Sequence, residues 1–297
     1  MRAVAFKAIA NIGIAAALLA ACAGPAPVQS GFSAQALVRE MRRRPVVLLG
    51  EIHDNAAQHR VRAGALRQLL QGGARPALAF EQFDRERQPD IDRIVSGGGA
   101  DRLENLVALG ERGWDWDMYR PYLELALQYG LPIVAADLSR ADAMRVSRDG
   151  YQAVFDAGAR ARLGLDSVPE DLLREQEKAV DEGHCHKLPA QALPAIARAQ
   201  IARDAALAAA IEPYLAGGVV LLAGNGHARR DIGVPRFLPQ SERSRLISIG
   251  LIENDAGAEE VPPGAYDSTF LTPVQTRPDP CESLHLDFHS LVRGLTA

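Results

Sequence analysis

The run Val46-Val47-Leu48-Leu49-Gly50-Glu51-Ile52-His53-Asp54-Asn55 constrains the fold of this chain most. Four consecutive apolar residues, two of them β-branched, read as a strand buried on both faces, as in a parallel sheet. Gly50 ends the run, Glu51 and His53 follow, and Asp54 or Asn55 can cap a helix through His59 towards Leu70. The same grammar recurs twice. Ala77-Leu78-Ala79-Phe80 runs into Glu81, and Val219-Val220-Leu221-Leu222-Ala223 runs into Gly224-Asn225-Gly226-His227. Open α/β sheets bind ligands beyond the carboxyl ends of their strands. Three strands would therefore deliver ionisable side chains to one edge.

Further strands are expected over Ile133 to Ala136 and Leu246 to Ile252, with an edge strand over Ser268 to Thr272. Strand and helix alternate as far as Arg140, which predicts a parallel sheet with right-handed crossovers. From Ala141 to Leu215 apolar residues recur at helical spacing, and the Ala-rich run from Ala190 to Ala210 favours helix. The expected fold class is α/β, a three-layer α/β/α arrangement with a mainly parallel sheet and an inserted all-helical subdomain. Residues 33–140 and 216–297 would form the core domain and 141–215 the helical subdomain. A chain of 297 residues that is 47% hydrophobic can bury such a core. Trp114 and Trp116 could flank a flat ligand, but aromatics at this spacing more commonly pack a core.

The amino terminus has a different character. Arg2 and Lys7 precede a short apolar run from Ile12 to Leu19, and Leu19-Ala20-Ala21-Cys22 reads as a bacterial lipobox. The run is too short to favour a spanning helix. Residues 1–21 are expected to be a lipoprotein signal peptide, Cys22 the lipidated residue, and 22–32 a tether. Ala23 rather than Asp after the cysteine points, by resemblance to bacterial sorting rules, to the outer membrane of the cell envelope. Loss of Arg2 and Lys7 would take the net charge from −4 to about −6. The lack of a long basic block and a content of only 5% aromatic residues argue against nucleic acid as the main partner. Arg42-Arg43-Arg44 could form an anion or lipid-headgroup patch, although a solvated helix end is the commoner outcome. Cys185 and Cys281 could pair in an oxidising compartment, but the sequence alone leaves this open.

Glu51, His53, Glu81 and His227 form the candidate catalytic or ligand cluster. Two carboxylates and two imidazoles would suit a divalent metal. Without metal, one Glu could act as base on water while a His serves as acid or holds an oxyanion. Gly50, Asn225, Asp231, Arg203 and Asp204 are supporting candidates, with Asn225 a natural oxyanion donor. His184 and His186 are candidate haem or metal ligands. One residue apart, they lie about 200° apart on a helix and can chelate together only in a turn. Gly224-Asn225-Gly226 lacks the Lys-Ser/Thr of a phosphate loop. His285 and His289 receive no role.

These motifs, in this order, resemble the ChaN-like haem-binding uptake family of the Tiki superfamily, relatives of erythromycin-esterase-like proteins. The resemblance also rests on Glu81-Gln82-Phe83-Asp84, Trp114-Asp115-Trp116 with Tyr119-Arg120-Pro121, and Ser139-Arg140. Gly183-His184-Cys185 with Leu188-Pro189, Ala199-Gln200 with Ala202-Arg203-Asp204, and Asp231-Ile232-Gly233-Val234-Pro235 complete it. The resemblance implies an α/β domain with a helical subdomain on a lipid-anchored protein of haem acquisition. Haem is the implied cofactor and partner; the lipid anchor makes the membrane a second partner, and a homodimer is left open. No tyrosine or histidine matches a defined haem-ligand motif. In the wider superfamily comparable Gly-x-x-His and Glu motifs belong to hydrolases, some of them metal-dependent, so a periplasmic hydrolase built on the four-residue cluster is the alternative. A non-catalytic interaction module is the third reading.

Overall fold

A computed structural model describes residues 28–29, 31–110, 112–254 and 261–283. The lipobox, the whole expected signal segment, and His285 and His289 lie outside them. Seven strands form one sheet: β1 (Val28–Gln29), β2 (Val46–Leu49), β3 (Ala77–Asp84), β4 (Ile133–Asp137), β5 (Val219–Leu222), β6 (Leu246–Glu253) and β7 (Ser268–Thr272). Their order is β1-β7-β6-β2-β5-β3-β4, and every pairing is parallel. Ser268–Thr272 is therefore not the edge. Val28–Gln29, inside the stretch expected to be a tether, pairs outside it.

The helices are α1 (Ala34–Met41), α2 (Ala56–Gln71), α3 (Gln88–Gly97), α4 (Arg102–Leu109), α5 (Trp116–Tyr129), α6 (Arg140–Asp149), α7 (Ala157–Leu163), α8 (Glu170–Gly183), α9 (Leu193–Ile211), α10 (Asn225–Ala228) and α11 (Pro280–Ser283). Among the described residues none is long and apolar enough to cross a membrane. Caps begin several of them. Ser33 accepts the Ala36 N–H, and Asn55 accepts the Gln58 N–H at 3.0 Å.

Strand periodicity splits the core into the three expected layers. Val46, Leu48, Ala79 and Leu221 face α9, whose Ile201, Ala205, Leu207 and Ile211 are buried against them. Val47, Leu49, Leu78, Phe80 and Leu222 face the other way, against Leu66 and Leu70 of α2 and Tyr119, Tyr122 and Leu123 of α5. The chain between β4 and β5 is helical throughout, and its long Ala-rich helix forms the layer over one sheet face. Alanine lets that helix approach closely while keeping its propensity. Beyond α8 the chain turns through Cys185 and His186, both with positive φ, and Cys185 is disulfide-bonded to Cys281. The pairing left open by the sequence is thus made. It fastens the segment after β7 to the end of α8.

Candidate functional site at the carboxyl edge

Strand order explains why the cluster converges. β5 lies between β2 and β3, so Glu51, Glu81 and the Gly224–His227 turn leave three adjacent strands at the same end. Two glycines permit the approach. A Cβ on Gly50 would lie 2.3 Å from Asn225 Oδ1, and one on Gly224 would lie 2.9 Å from His53 Cε1.

Glu51 is sealed. Its carboxylate pairs with the buried guanidinium of Arg62 from α2, accepts the Tyr119 hydroxyl from α5, and meets His53 Nδ1 at 2.9 Å. Arg62 also donates to the Leu49 carbonyl at 2.9 Å, so the ion pair is stitched to the end of β2. Burial pushes the Tyr119 phenol well above its ordinary value, which keeps it a protonated donor to Glu51. Burial likewise lowers His59 to about 4, and this neutral ring contacts the His53 carbonyl at 3.0 Å. A general base must reach water. Glu51, with its oxygens committed to Arg62, Tyr119 and His53, is an orienting group instead, which corrects the expectation of a base at this position.

His53 is what Glu51 orients. Its side chain is 45% exposed, its Nδ1 is tied to Glu51, and its ring packs edge-on against Trp114 at 4.7 Å. Desolvation lowers its pKa, only partly opposed by the charge of Glu81, so the ring favours the neutral form. Among the described residues no partner engages Nε2. His53 lines a crevice of about 570 Å³ with Trp114, Met118, Leu138 and the guanidinium-bearing Arg112, Arg140 and Arg203. Trp116 packs against Phe83 at 4.8 Å, in line with a core role, whereas Trp114 is both packing and crevice wall.

Glu81 is held differently. It accepts the Gly224 N–H at 2.6 Å, lies 3.4 Å from His227 Nε2, and pairs with Arg203 Nη2 at 3.2 Å. His227 Nδ1 contacts Asp204 at 2.7 Å, and Arg203 reaches Asp137 at the end of β4. Burial acts against the His227 cation, but Glu81 and Asp204 outweigh it and push the imidazole up to about 10. Burial would raise Glu81, yet His227 overcomes it and holds this carboxyl well below the usual range. Three carboxylates here share two cations. Asp137 is the one left over, pushed up to about 7 by burial despite Arg203.

The supporting residues divide. Arg203 and Asp204 reach the site, as the adjacent positions on the Ala-rich helix allowed. The Asn225 side chain is turned to β6. Its amide donates to the Leu251 carbonyl at 2.7 Å and its oxygen accepts the Leu251 N–H at 3.0 Å, which clamps the β5 turn to β6. Asp231 pairs with Arg229, outside the Glu81 network. His184 contacts the Val180 carbonyl at 2.7 Å and borders a second cavity of about 400 Å³ with His227, while the exposed His186 contacts Asp181. Among the described residues no three His, Cys, Asp or Glu side chains are placed to hold a metal ion, so the divalent-metal expectation has no support. Arg62 and Arg203 hold the positions against the carboxylates that a metal would take. Sequence reading missed Arg62, Tyr119 as a partner, and Asp137. The signal for Asp137 was there: it is a carboxylate at a fourth strand end.

Comparison with known proteins agrees with this architecture. A family model described as "Haem-binding uptake, Tiki superfamily, ChaN" matches residues 37–238. The chain is similar to ChaN of Campylobacter jejuni, solved with cofacially bound haem, at a TM-score of 0.63 and 18% identity over 78% of this chain and 89% of that one. Weaker likenesses are to the type III effector HopBA1, at 0.49 and 14% over 86% and 100%, and to the erythromycin esterase EreC, at 0.42 and 13% over 78% and 77%. Among curated protein sequences none matches. With more than half of its length matched by that model, the chain belongs to the haem-binding uptake family of the Tiki superfamily, that of ChaN.

Proposed function

We propose that this protein binds haem in the 570 Å³ crevice at the carboxyl edge, with His53 as the iron ligand, in the service of haem uptake. Family membership supplies the ligand class. The observation that carries the site is His53 itself: half exposed on the crevice, with Nδ1 tied to Glu51 and Nε2 bonded to no partner among the described residues. A carboxylate on the far ring nitrogen fixes the tautomer and raises the basicity of a ligating imidazole. The crevice falls within the range of small-molecule sites, roughly 300–1,000 Å³. Trp114, Met118 and Leu138 offer apolar contact to a porphyrin face. Arg112 and Arg140, which meet no carboxylate among the described residues, suit its propionates. Tyr119 and Tyr122 are fully buried with their hydroxyls donated to Glu51 and the His59 carbonyl, which leaves neither as a ligand. Haem would supply the redox-active iron and its colour; the chain's part is to bind, orient and partly shield it.

Lipid attachment at Cys22 and retention at the outer membrane complete the reading, as does a homodimer, which sedimentation with and without haem would read. The test of the site is a haem titration followed at the Soret band. Wild type should saturate, and His53→Ala should weaken binding by at least tenfold while the fold is retained. Equal titrations would remove His53 from the site.

A hydrolase is the second reading, favoured by one feature. A neutral His53 held by a buried carboxylate is also the arrangement of a general base acting on water. In that case His53→Ala abolishes turnover of a cleavable ester or peptide without altering haem binding.

A further inference from the structure

The end of the sheet opposite the crevice carries a different chemistry. A cavity of about 400 Å³ opens between the amino ends of β2, β3 and β5, floored by Met41, Val47, Leu69 and Val220 and rimmed by Arg42, Arg43, Arg44 and Arg75. All four arginines are exposed. Arg43 pairs with Glu40 at 2.6 Å. The other three meet no carboxylate among the described residues: Arg42 donates to the carbonyl of Gln68, Arg44 to that of Arg43, and Arg75 to those of Leu70 and Ala74 while its guanidinium lies 4.9 Å from the centre of the Tyr129 ring.

Capping explains part of this and not all of it. Helices α1 and α2 both end here, and each carboxyl terminus carries about half a negative charge. Those ends and Glu40 together offset roughly two of the four guanidiniums. About two positive charges remain beside an apolar floor.

The direction of the chain gives the face its partner. Val28 pairs with Thr269, which pairs with Gly250, so β1 enters the sheet about four residues above the amino ends of β2 and β6, roughly 13 Å. All strands are parallel, so the chain enters β1 from the amino side. The stretch from Cys22 to Val28 can reach about 20 Å at most, enough to bring a lipidated Cys22 level with the arginine rim.

We propose that this rim is a docking face for the phosphate groups of anionic phospholipids, pressed against the membrane that holds the anchor while the crevice opens away from it. The proposal rests on the anchoring reading above, but its test does not need the anchor. The chain from Ala23 onward, which keeps every described residue and cannot be acylated, is sedimented with vesicles of phosphatidylglycerol and phosphatidylcholine and with phosphatidylcholine alone.

Binding should require the anionic lipid and fall steeply at 0.5 M salt. Each arginine near an anionic surface is worth roughly fivefold. Arg43→Gln with Arg44→Gln should therefore weaken binding by about tenfold or more, and Arg75→Gln by less, with melting temperatures checked for each. Arg174→Gln, which removes an exposed charge from α8, should leave binding unchanged. Absence of anionic preference, equal binding by the double variant, or an equal loss in Arg174→Gln would each overturn the proposal. Protection of the rim by millimolar inorganic phosphate without vesicle binding would make it a soluble-anion site and overturn the membrane reading. Anchoring is read separately, from the mass of the full chain and its Cys22→Ser variant made in a bacterium, so one can fail without the other.

Discussion

Glu51 and Glu81 leave strands on either side of β5 with the same local grammar, yet the molecule holds them in opposite ways. Two partners of Glu51 come from α2 and α5 on one face of the sheet, a fully buried arginine and a buried phenol, and the third is an outward-looking imidazole from the turn after β2. Those of Glu81 come from α9 on the other face and from the β5 turn, and with Asp137 of β4 they make a chain of five ionisable groups, Asp204–His227–Glu81–Arg203–Asp137, in which the arginine is partly exposed. The first arrangement fixes one ring in one tautomer. The second distributes charge and can answer to pH. A motif read along the sequence shows that two carboxylates arrive at one edge; only the packing on each face decides which is sealed.

The comparison can be broken most forcefully at its arginines. Arg62→Ala would strand a buried carboxylate and should cost about 3–5 kcal/mol in denaturant unfolding. Arg203→Ala should cost about 1 kcal/mol, because that side chain is 25% exposed and water can replace it. Equal losses would erase the distinction between a sealed and an open half. Tyr119→Phe is the next step down. Removing a donor to a buried carboxylate should cost about 1.5–3 kcal/mol, and an unchanged midpoint would show that Glu51 does not depend on it.

The gentlest effect is a slope with pH. Asp137 is raised in the folded state from 3.8 to about 7, so its stabilisation is fully present below about pH 4 and lost as pH rises through 7. His227 is raised from 6.5 to about 10, so its contribution is present below about pH 6.5 and lost as pH climbs through 10. Stability should therefore decline from pH 7 to 9, while between pH 5 and 6.5 the buried, lowered His53 and His59 gain what Asp137 loses. Asp137→Asn should make the curve below pH 7 rise more steeply and leave the part above it. Equal slopes below pH 7 in wild type and Asp137→Asn would contradict the shared-cation account of this network.

Much of the fold was legible because its signals are local. The apolar runs at 46–49 and 219–222 are strands buried on both faces, Asn55 caps α2, and the stretch after Arg140 is helical until β5. What escaped depends on contacts across the sheet. Arg62 reads as a solvent-facing charge on α2, and only Glu51 arriving from β2 makes its burial tolerable. Val28–Gln29 is too short, and too closely flanked by Pro and Gly, to announce a strand; β7 supplies its partner. Asn225 has a residue type fit for an oxyanion, but its amide oxygen and one amide N–H pair with Leu251, a contact between strands that no local pattern announces. The Cys185–Cys281 bond closes a separation of 96 residues that no local pattern encodes.

The most direct test of the central claim is the resonance Raman spectrum of the ferric haem complex, recorded for wild type, His53→Ala and Tyr119→Phe. The account predicts a spectrum without phenolate modes that changes in His53→Ala and persists in Tyr119→Phe. Phenolate modes in wild type that survive His53→Ala would contradict it, and would place the iron on a tyrosine rather than on the imidazole held by Glu51.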